Sequence, residues 1–433
     1  MISGQGAGGI ADSAEAAMRA GRLRPGDRLP PVRELAGRLR VSPTTVASAY
    51  RVLRLRGLVT AAGRRGTRVA ARPPIAEAGT AAAPEGAREL WLGNPDPALL
   101  PDLVPVLVRL GEVKRLYGEP ANRPELLELA AAGFRADHIA ADHLAVVGGA
   151  LDGLERCLGA HLRAGDRVLI EDPGYAAVFD LVAALGLEAV PVGVDDHGPL
   201  PGEVERALRG RVAAAIFTPR AQNPFGSAYD GRRVRELGRL LAAHPELLVV
   251  EDDHAGPVAG ARARSVSQGR RRWAVVRSVS KSLGPDLRLA VMTGDPVTVS
   301  RVAGRQQIGA GWVSHVLQRA VVELWTDRSV ARRLERAAAE YARRRAELVA
   351  ALRRVGLQAH GTSGLNVWVP VPDEDAALRR LAAEGWAVAP GRRYRIQAGP
   401  AIRISIGSLR DGEAALIAHA LAGAGTSGLT RSA

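Results

Sequence analysis

Of the 59 basic residues in this chain only two are lysines, Lys114 and Lys281. Where the two cations are interchangeable the chain uses arginine, so a retained lysine points to a task a guanidinium cannot perform, with chance retention as the alternative. A neutral primary amine can form an imine with an aldehyde, which a guanidinium does not do. Lys281 stands in Ser278-Val-Ser-Lys281-Ser-Leu-Gly-Pro-Asp-Leu-Arg288, with hydroxyls and a guanidinium beside it. Four other polar clusters precede it in the chain. They are Gly148-Gly149-Ala150, Glu171-Asp-Pro-Gly-Tyr175, Thr218-Pro-Arg-Ala-Gln-Asn223-Pro-Phe-Gly226 and Val249-Val-Glu-Asp252-Asp253-His254.

An aldehyde cofactor such as pyridoxal 5'-phosphate needs few partners. A lysine takes the aldehyde, a carboxylate keeps the pyridine nitrogen protonated, donors hold the phosphate, and an aromatic ring stacks on the cofactor. An arginine suits the carboxylate of an amino acid. Each cluster has an ordinary alternative, since Gly148-Gly149 also reads as a turn and Asp252 as a helix cap. Their combination and order favour the cofactor site.

The elements that must position these residues follow from pattern. From Trp91 onward, short β-like runs alternate with amphipathic helical stretches. The runs are Leu144–Val147, Arg167–Glu171, Ala189–Val192, Ala213–Thr218, Leu247–Glu251 and Ala274–Ser278. Such alternation predicts an α/β domain with a mainly parallel sheet, and the polar clusters fall where ligands gather, at strand ends. A helix over Ala331–Arg354 would bury Leu334, Tyr341, Leu348 and Leu352. From about Gly356, strand-like runs at Leu365–Val369 and Ile402–Ile406 mix with helices, as in a small α+β subdomain. Residues 71–90, rich in Pro, Ala and Gly, read as a linker.

The first seventy residues have a different character. Val32, Leu35, Ala36 and Leu39 form the buried stripe of one helix. Val41-Ser42-Pro43 supplies a turn, an N-cap and an N1 proline for a second helix. That helix carries Thr44, Thr45, Ser48 and Arg51, with Val46, Ala49 and Tyr50 turned inward. Two short helices joined this way predict a helix-turn-helix. Leu58–Val69 then reads as a hairpin whose Gly63–Gly66 tip, with Arg64 and Arg65, reaches a phosphate or minor groove.

Charge agrees with that division. The chain of 433 residues has a net charge of +14, and residues 1–72 hold 14 Arg against 4 acidic residues, a local +10. A phosphate backbone is the partner that suits so localised a field. A single cysteine, Cys157, excludes an intramolecular disulfide and a multi-thiolate metal site. The apolar runs are too short to span a bilayer and no export signal is visible, so a cytoplasmic protein is expected.

From Pro25 to Val69 the sequence resembles the winged helix-turn-helix of the GntR family. The match rests on Gly26, Leu29, Pro30, Arg33, Leu35, Ala36, Ser42, Thr45, Val46, Tyr50, Leu53, Gly57, Gly66 and Thr67. Pro43 stands where the family often has arginine. The order of polar clusters resembles fold-type I aminotransferases, and the fusion resembles MocR-type regulators. The implied organisation is multidomain, with a winged helix-turn-helix over 1–70 and a linker over 71–90. An aminotransferase-like domain follows over 91–433, large part about 91–330 and small part about 331–433.

The resemblance also implies roles. Lys281 would hold the cofactor aldehyde, Asp252 would pair with the pyridinium, Asn223 would bond the ring oxygen and Tyr175 would stack on the ring. Ser278, Arg288 and the Gly149–Ala150 amides would bind phosphate, with Ser280 nearby. Arg403 would grip an effector carboxylate, and Tyr117 would reach the partner subunit's phosphate in a homodimer. His254 replaces the usual tyrosine, Gly148 a usual Ser or Thr, and Asn122 a common glycine. Arg33, Ser42, Thr44, Thr45, Ser48, Arg51, Arg64, Arg65 and Thr67 would contact a double-stranded DNA operator. The implied function is transcription regulation through a Lys281 aldimine that senses an amino acid, an amine or a B6 vitamer. An active aminotransferase with an accessory head is the alternative, and a cofactor-free dimerisation scaffold the third.

Overall fold

Helix signals in the head act as their chemistry dictates. The computed structural model describes residues 2–61, 66–70, 86–111, 114–267 and 269–422. After α1 (Gly6–Arg19), α2 (Val32–Leu39) buries Leu35 and Ala36 and stops at Arg40, whose φ of 54° lies in the left-handed region. Ser42 then accepts a hydrogen bond from the Thr45 amide and Pro43 opens α3 (Pro43–Leu55). Ile10, Leu29, Leu35, Val46, Leu53, Leu58, Val59 and Val69 share one apolar core. The Tyr50 hydroxyl donates to the Pro30 carbonyl over 2.7 Å, tying α3 to the turn before α2.

The wing pairs β1 (Val59–Ala61) with β2 (Thr67–Val69), placing Val59 opposite Val69. The segment before α2 flanks β2: the Leu29 amide donates to Thr67 O and the Val69 amide to Asp27 O, each over 2.8 Å. This explains why glycine, leucine and proline at 26, 29 and 30 belong to the same pattern as the wing.

The chain divides into two compact units, Met1–Ala82 with Leu162–Val168 and Ala177–Val190, and Ala83–His161 with Leu169–Ala176 and Pro191–Ala433. Beyond the head, β3 (Arg88–Leu90) precedes an eight-stranded sheet. Its strands are β4 (Leu144–Val147), β5 (Arg167–Asp172), β6 (Glu188–Asp195), β7 (Gly198–Pro199), β8 (Ala214–Phe217), β9 (Leu248–Asp253), β10 (Trp273–Ser278) and β11 (Ala290–Gly294). The order is β4-β11-β10-β9-β8-β5-β6-β7. β8, β9 and β10 run parallel, as expected for strands buried on both faces.

The sheet is nonetheless mixed. β11, which the sequence pattern did not single out, runs antiparallel to both β10 and β4. Its cause is loop length: residues 279–289 are too few for the crossover that a parallel return requires, so the chain turns back beside β10.

The long helix spans Arg328–Arg354 and buries Leu334, Tyr341, Leu348 and Leu352 as the pattern predicts. The small sheet joins β12 (Asn366–Pro370), β13 (Trp386–Pro390) and β14 (Ala401–Ser405) in the order β12-β14-β13-β3. Thus the last residues of the stretch read as linker, Arg88–Leu90, form a strand parallel to β13. Residues 71–85 lie outside the described residues.

Candidate functional site

Three consecutive carboxylates, Glu251, Asp252 and Asp253, lie fully buried at the end of β9. Alternation along a strand sends Asp252 to one face and its neighbours to the other. Glu251 accepts from the Ser267 hydroxyl over 2.7 Å and the Val266 amide over 2.9 Å. Asp253 accepts two bonds from Arg220, at 2.7 and 2.8 Å, and one from Arg277 at 2.6 Å. Burial opposes its charge, but Arg277 and Arg220 hold Asp253 well below the usual carboxylate range. Asp252 has no such support: its Oδ1 is buried without a hydrogen-bond partner. Burial, with the Asp253 and Glu171 charges, pushes the Asp252 carboxyl up to about 7. A buried acceptor left open costs free energy unless a ligand donor meets it. A protonated pyridine nitrogen is such a donor.

Lys281 follows β10, the strand hydrogen-bonded to β9. Its Nζ donates to the Gly93 carbonyl over 2.8 Å. Burial and the Arg403 charge lower its pKa to about 8, so a sizeable share of the amine is neutral near physiological pH. His254 Nδ1 stands 3.9 Å from Asp252 Oδ2. Burial and Lys281 lower the His254 pKa to about 4, making it a neutral imidazole rather than a counter-ion.

Arg403, on β14, is 2% exposed and lies 4.4 Å above the Tyr394 ring. It donates to Asn223 Oδ1 over 3.0 Å and to the Trp91 carbonyl, while its Nε is buried without an acceptor. Asn223 Oδ1 also accepts from Asn366 at 3.4 Å, which commits the oxygen and leaves the amide NH2 as the group free to donate. Tyr175 is 37% exposed, and burial together with the Asp252 charge raises its hydroxyl pKa.

The residues expected at a phosphate follow the carboxyl ends of β4 and β10, which β11 separates in the sheet. Gly149, at φ 102°, precedes the helix Ala150–His161. A Cβ added there would sit 3.0 Å from Arg288 Nη2, so glycine keeps the space beside that guanidinium open. Arg288 itself is left-handed at φ 41° and donates to Gly148 O over 3.4 Å. The Ser278 hydroxyl donates to Ser280 Oγ at 3.0 Å and accepts from the Ser280 amide at 3.1 Å. Two loop amides are already engaged, Gly148 with Asp152 Oδ2 at 2.7 Å and Gly149 with Val147 O at 2.9 Å. Ala150, opening the helix, retains the N-terminal position that favours an anion.

Lys281, Asp252, His254, Asn223, Tyr175 and Arg403 are therefore linked by contacts or mutual charge effects, while Arg288 meets Gly148 and Gly149, and Ser278 meets Ser280. Tyr117 stands apart, 92% exposed and edge-on to Trp312 at 5.6 Å. Asn122 supports β4, accepting from the Val146 amide at 3.3 Å. Gly93, Trp91 and Tyr394 were not found from sequence. Gly93 lies 188 residues before Lys281, and no local pattern connects a backbone carbonyl to a distant amine.

In the head, Arg33, Ser42, Thr44, Ser48 and Arg51 are exposed, and Thr45 and Thr67 half-buried. The Ser42 hydroxyl is engaged with the Thr45 amide at 3.0 Å and the Thr45 hydroxyl at 2.8 Å, so its first role is to cap α3. Arg64 and Arg65 lie outside the described residues.

Residues 7–69 match the bacterial regulatory proteins of the gntR family, and residues 98–421 match aminotransferase class I and II. The chain is a MocR-type regulator of the GntR family. It is 40% identical over 418 residues to the vitamin B6 salvage pathway transcriptional repressor PtsJ of Salmonella typhimurium, covering 95% of this chain and 97% of that one. It is 29% identical to the HTH-type transcriptional regulator TauR of Rhodobacter capsulatus, covering 86% of each. Among solved structures, Pyrococcus horikoshii kynurenine aminotransferase has the same fold, with a TM-score of 0.71 and 21% identity over 78% of this chain and 90% of that one. A MocR-type regulator joins a DNA-binding head to an aminotransferase-like domain. The donor set here fits the cofactor that this domain family uses, pyridoxal 5'-phosphate. Among the described residues no helix is long and apolar enough to cross a membrane.

Proposed function

We propose that this regulator reads a B6 vitamer, pyridoxal 5'-phosphate itself, at Lys281 and adjusts its grip on an operator accordingly. The observation that carries the proposal is Asp252, the one member of a buried carboxylate triplet whose Oδ1 has no partner. It is suited to the pyridine nitrogen. Lys281, with its lowered pKa, is suited to the aldehyde carbon, and Arg288, Ser278, Ser280 and Ala150 to the phosphate. When bound, the cofactor supplies an electrophilic carbon and an electron-withdrawing ring. Tyr175 would cover that ring, and neutral His254 and the Asn223 amide would meet its oxygen. The PtsJ repressor, similar over nearly the whole chain, is named for vitamin B6 salvage, which supports a vitamer as effector.

A homodimer belongs to the proposal. Val104, Leu107, Val108, Leu116 and Tyr117 are each more than half exposed within one short stretch of the aminotransferase-like unit, apolar surface that suits a second copy. The test is binding of the protein to DNA upstream of its own gene, with and without pyridoxal 5'-phosphate, in wild type and Lys281→Ala. The expected result is a change in affinity that Lys281→Ala abolishes. Equal affinity in all four conditions would overturn it.

Arg403 favours a second reading, an aminotransferase whose substrate carboxylate meets the buried guanidinium. Sustained exchange between an amino acid and a keto acid, lost in Lys281→Ala, would support it.

A further inference from the structure

Both cations of the site donate to one short stretch of main chain. Lys281 Nζ bonds Gly93 O at 2.8 Å, and Arg403 bonds Trp91 O. This stretch is anchored at each end, and between the anchors these two cations are what its carbonyls meet. On its N-terminal side β3 pairs with β13, and Arg88 meets Glu413 at 2.9 Å. On its C-terminal side Asp96 meets Arg344 at 2.9 Å, and the Asp96 amide donates to the Tyr341 hydroxyl at 2.9 Å. Between these anchors Gly93 adopts φ +68°, and the Trp91 indole Nε1 is buried without an acceptor.

We propose that Trp91–Gly93 is a strap that competes with ligand for Lys281 and Arg403, and that its displacement carries site occupancy back toward the DNA-binding head. Holding a ligand at Nζ and donating to Gly93 O draw on the same nitrogen. The strap must therefore yield when Lys281 is loaded. An effector carboxylate taking Arg403 would release Trp91 O in the same way. The unpartnered indole N–H adds a cost to the arrangement that holds the strap on these cations. β3 lies between the strap and the segment that joins the two family-matched regions, so displacement of the strap acts on that segment through β3 and its pairing with β13. The inference rests on the vitamer reading above and specifies how that site speaks to the head.

The test uses the full-length protein and pyridoxal 5'-phosphate, with loading followed by its absorbance band. Amide hydrogen exchange over residues 88–96 is expected to quicken by about tenfold on loading in wild type, with no change in Lys281→Ala. Gly93→Ala forces a side chain into a left-handed backbone and weakens the contact with Lys281. It is expected to bind pyridoxal 5'-phosphate about threefold to tenfold more tightly, and to bind DNA with little response to it. Loaded wild type with unchanged exchange over 88–96 overturns the strap and leaves the vitamer reading standing. So does Gly93→Ala with wild-type loading and a full DNA response. Failure of wild type to develop any absorbance band overturns both.

Discussion

Lys281 and Asp252 owe their chemistry to burial, and burial makes their behaviour with pH predictable. An ordinary lysine is almost wholly cationic at neutral pH, whereas a pKa of about 8 leaves roughly two orders of magnitude more neutral amine. Loading with pyridoxal 5'-phosphate is therefore expected to quicken as pH rises toward 8 and to level off above it, which stopped-flow absorbance would follow. A rate still climbing steeply through pH 10 would contradict the lowered pKa. Asp252 gives the opposite sign for stability. Its carboxyl titrates near 7 in the fold but in the ordinary range once unfolded, so the ligand-free fold loses stability as pH rises from about 4 to 7. Asp252→Asn removes that loss. Without ligand it is expected to be more stable than wild type at pH 8, by on the order of 1–3 kcal/mol in urea titrations, with the gap closing toward pH 4. Residue types and order pointed to the clusters around Lys281, Asp252 and Asn223, while Arg403 entered only through the resemblance to aminotransferases. The partners that decide their state were not legible, because Gly93 and Trp91 act through carbonyls that every residue possesses.

Elements were legible where a local rule fixes them. Ser42 and Pro43 announce α3, and the apolar stripe of the long helix gave its C-terminus to the residue. β11 and β3 were hidden because each is set by a partner, β10 and β13, rather than by its own pattern. The α3 cap also separates folding from recognition. Ser42→Ala removes the acceptor for the Thr45 amide and is expected to cost about 1 kcal/mol of local stability, seen as faster amide exchange in α3. Operator affinity should fall with it, because Thr44, Ser48 and Arg51 ride on that helix. Ser42→Asp keeps a capping oxygen but adds negative charge. It should preserve the exchange protection and still weaken DNA binding. Recovery of both by Asp would mean that Ser42 is a cap and lies away from the phosphates.

At the scale of the whole molecule, charge and association are coupled. Residues 1–72 supply +10 of the chain's +14, so each head is expected to neutralise several phosphates. Each neutralised phosphate steepens the fall of affinity with salt by about 0.9 on logarithmic axes. A dimer that places both heads on one operator therefore has about twice the slope of a single head. Leu107 and Val108, 51% and 77% exposed on the helix Val104–Arg109, are the residues to test. Leu107→Asp with Val108→Asp puts two charges into the proposed interface, which should give monomers in sedimentation equilibrium while leaving the head core untouched. The salt slope of the double variant should fall to about half that of wild type, together with its operator affinity. A wild-type protein that sediments as a monomer, or a double variant with an unchanged slope, would mean that this apolar surface serves something other than a second copy.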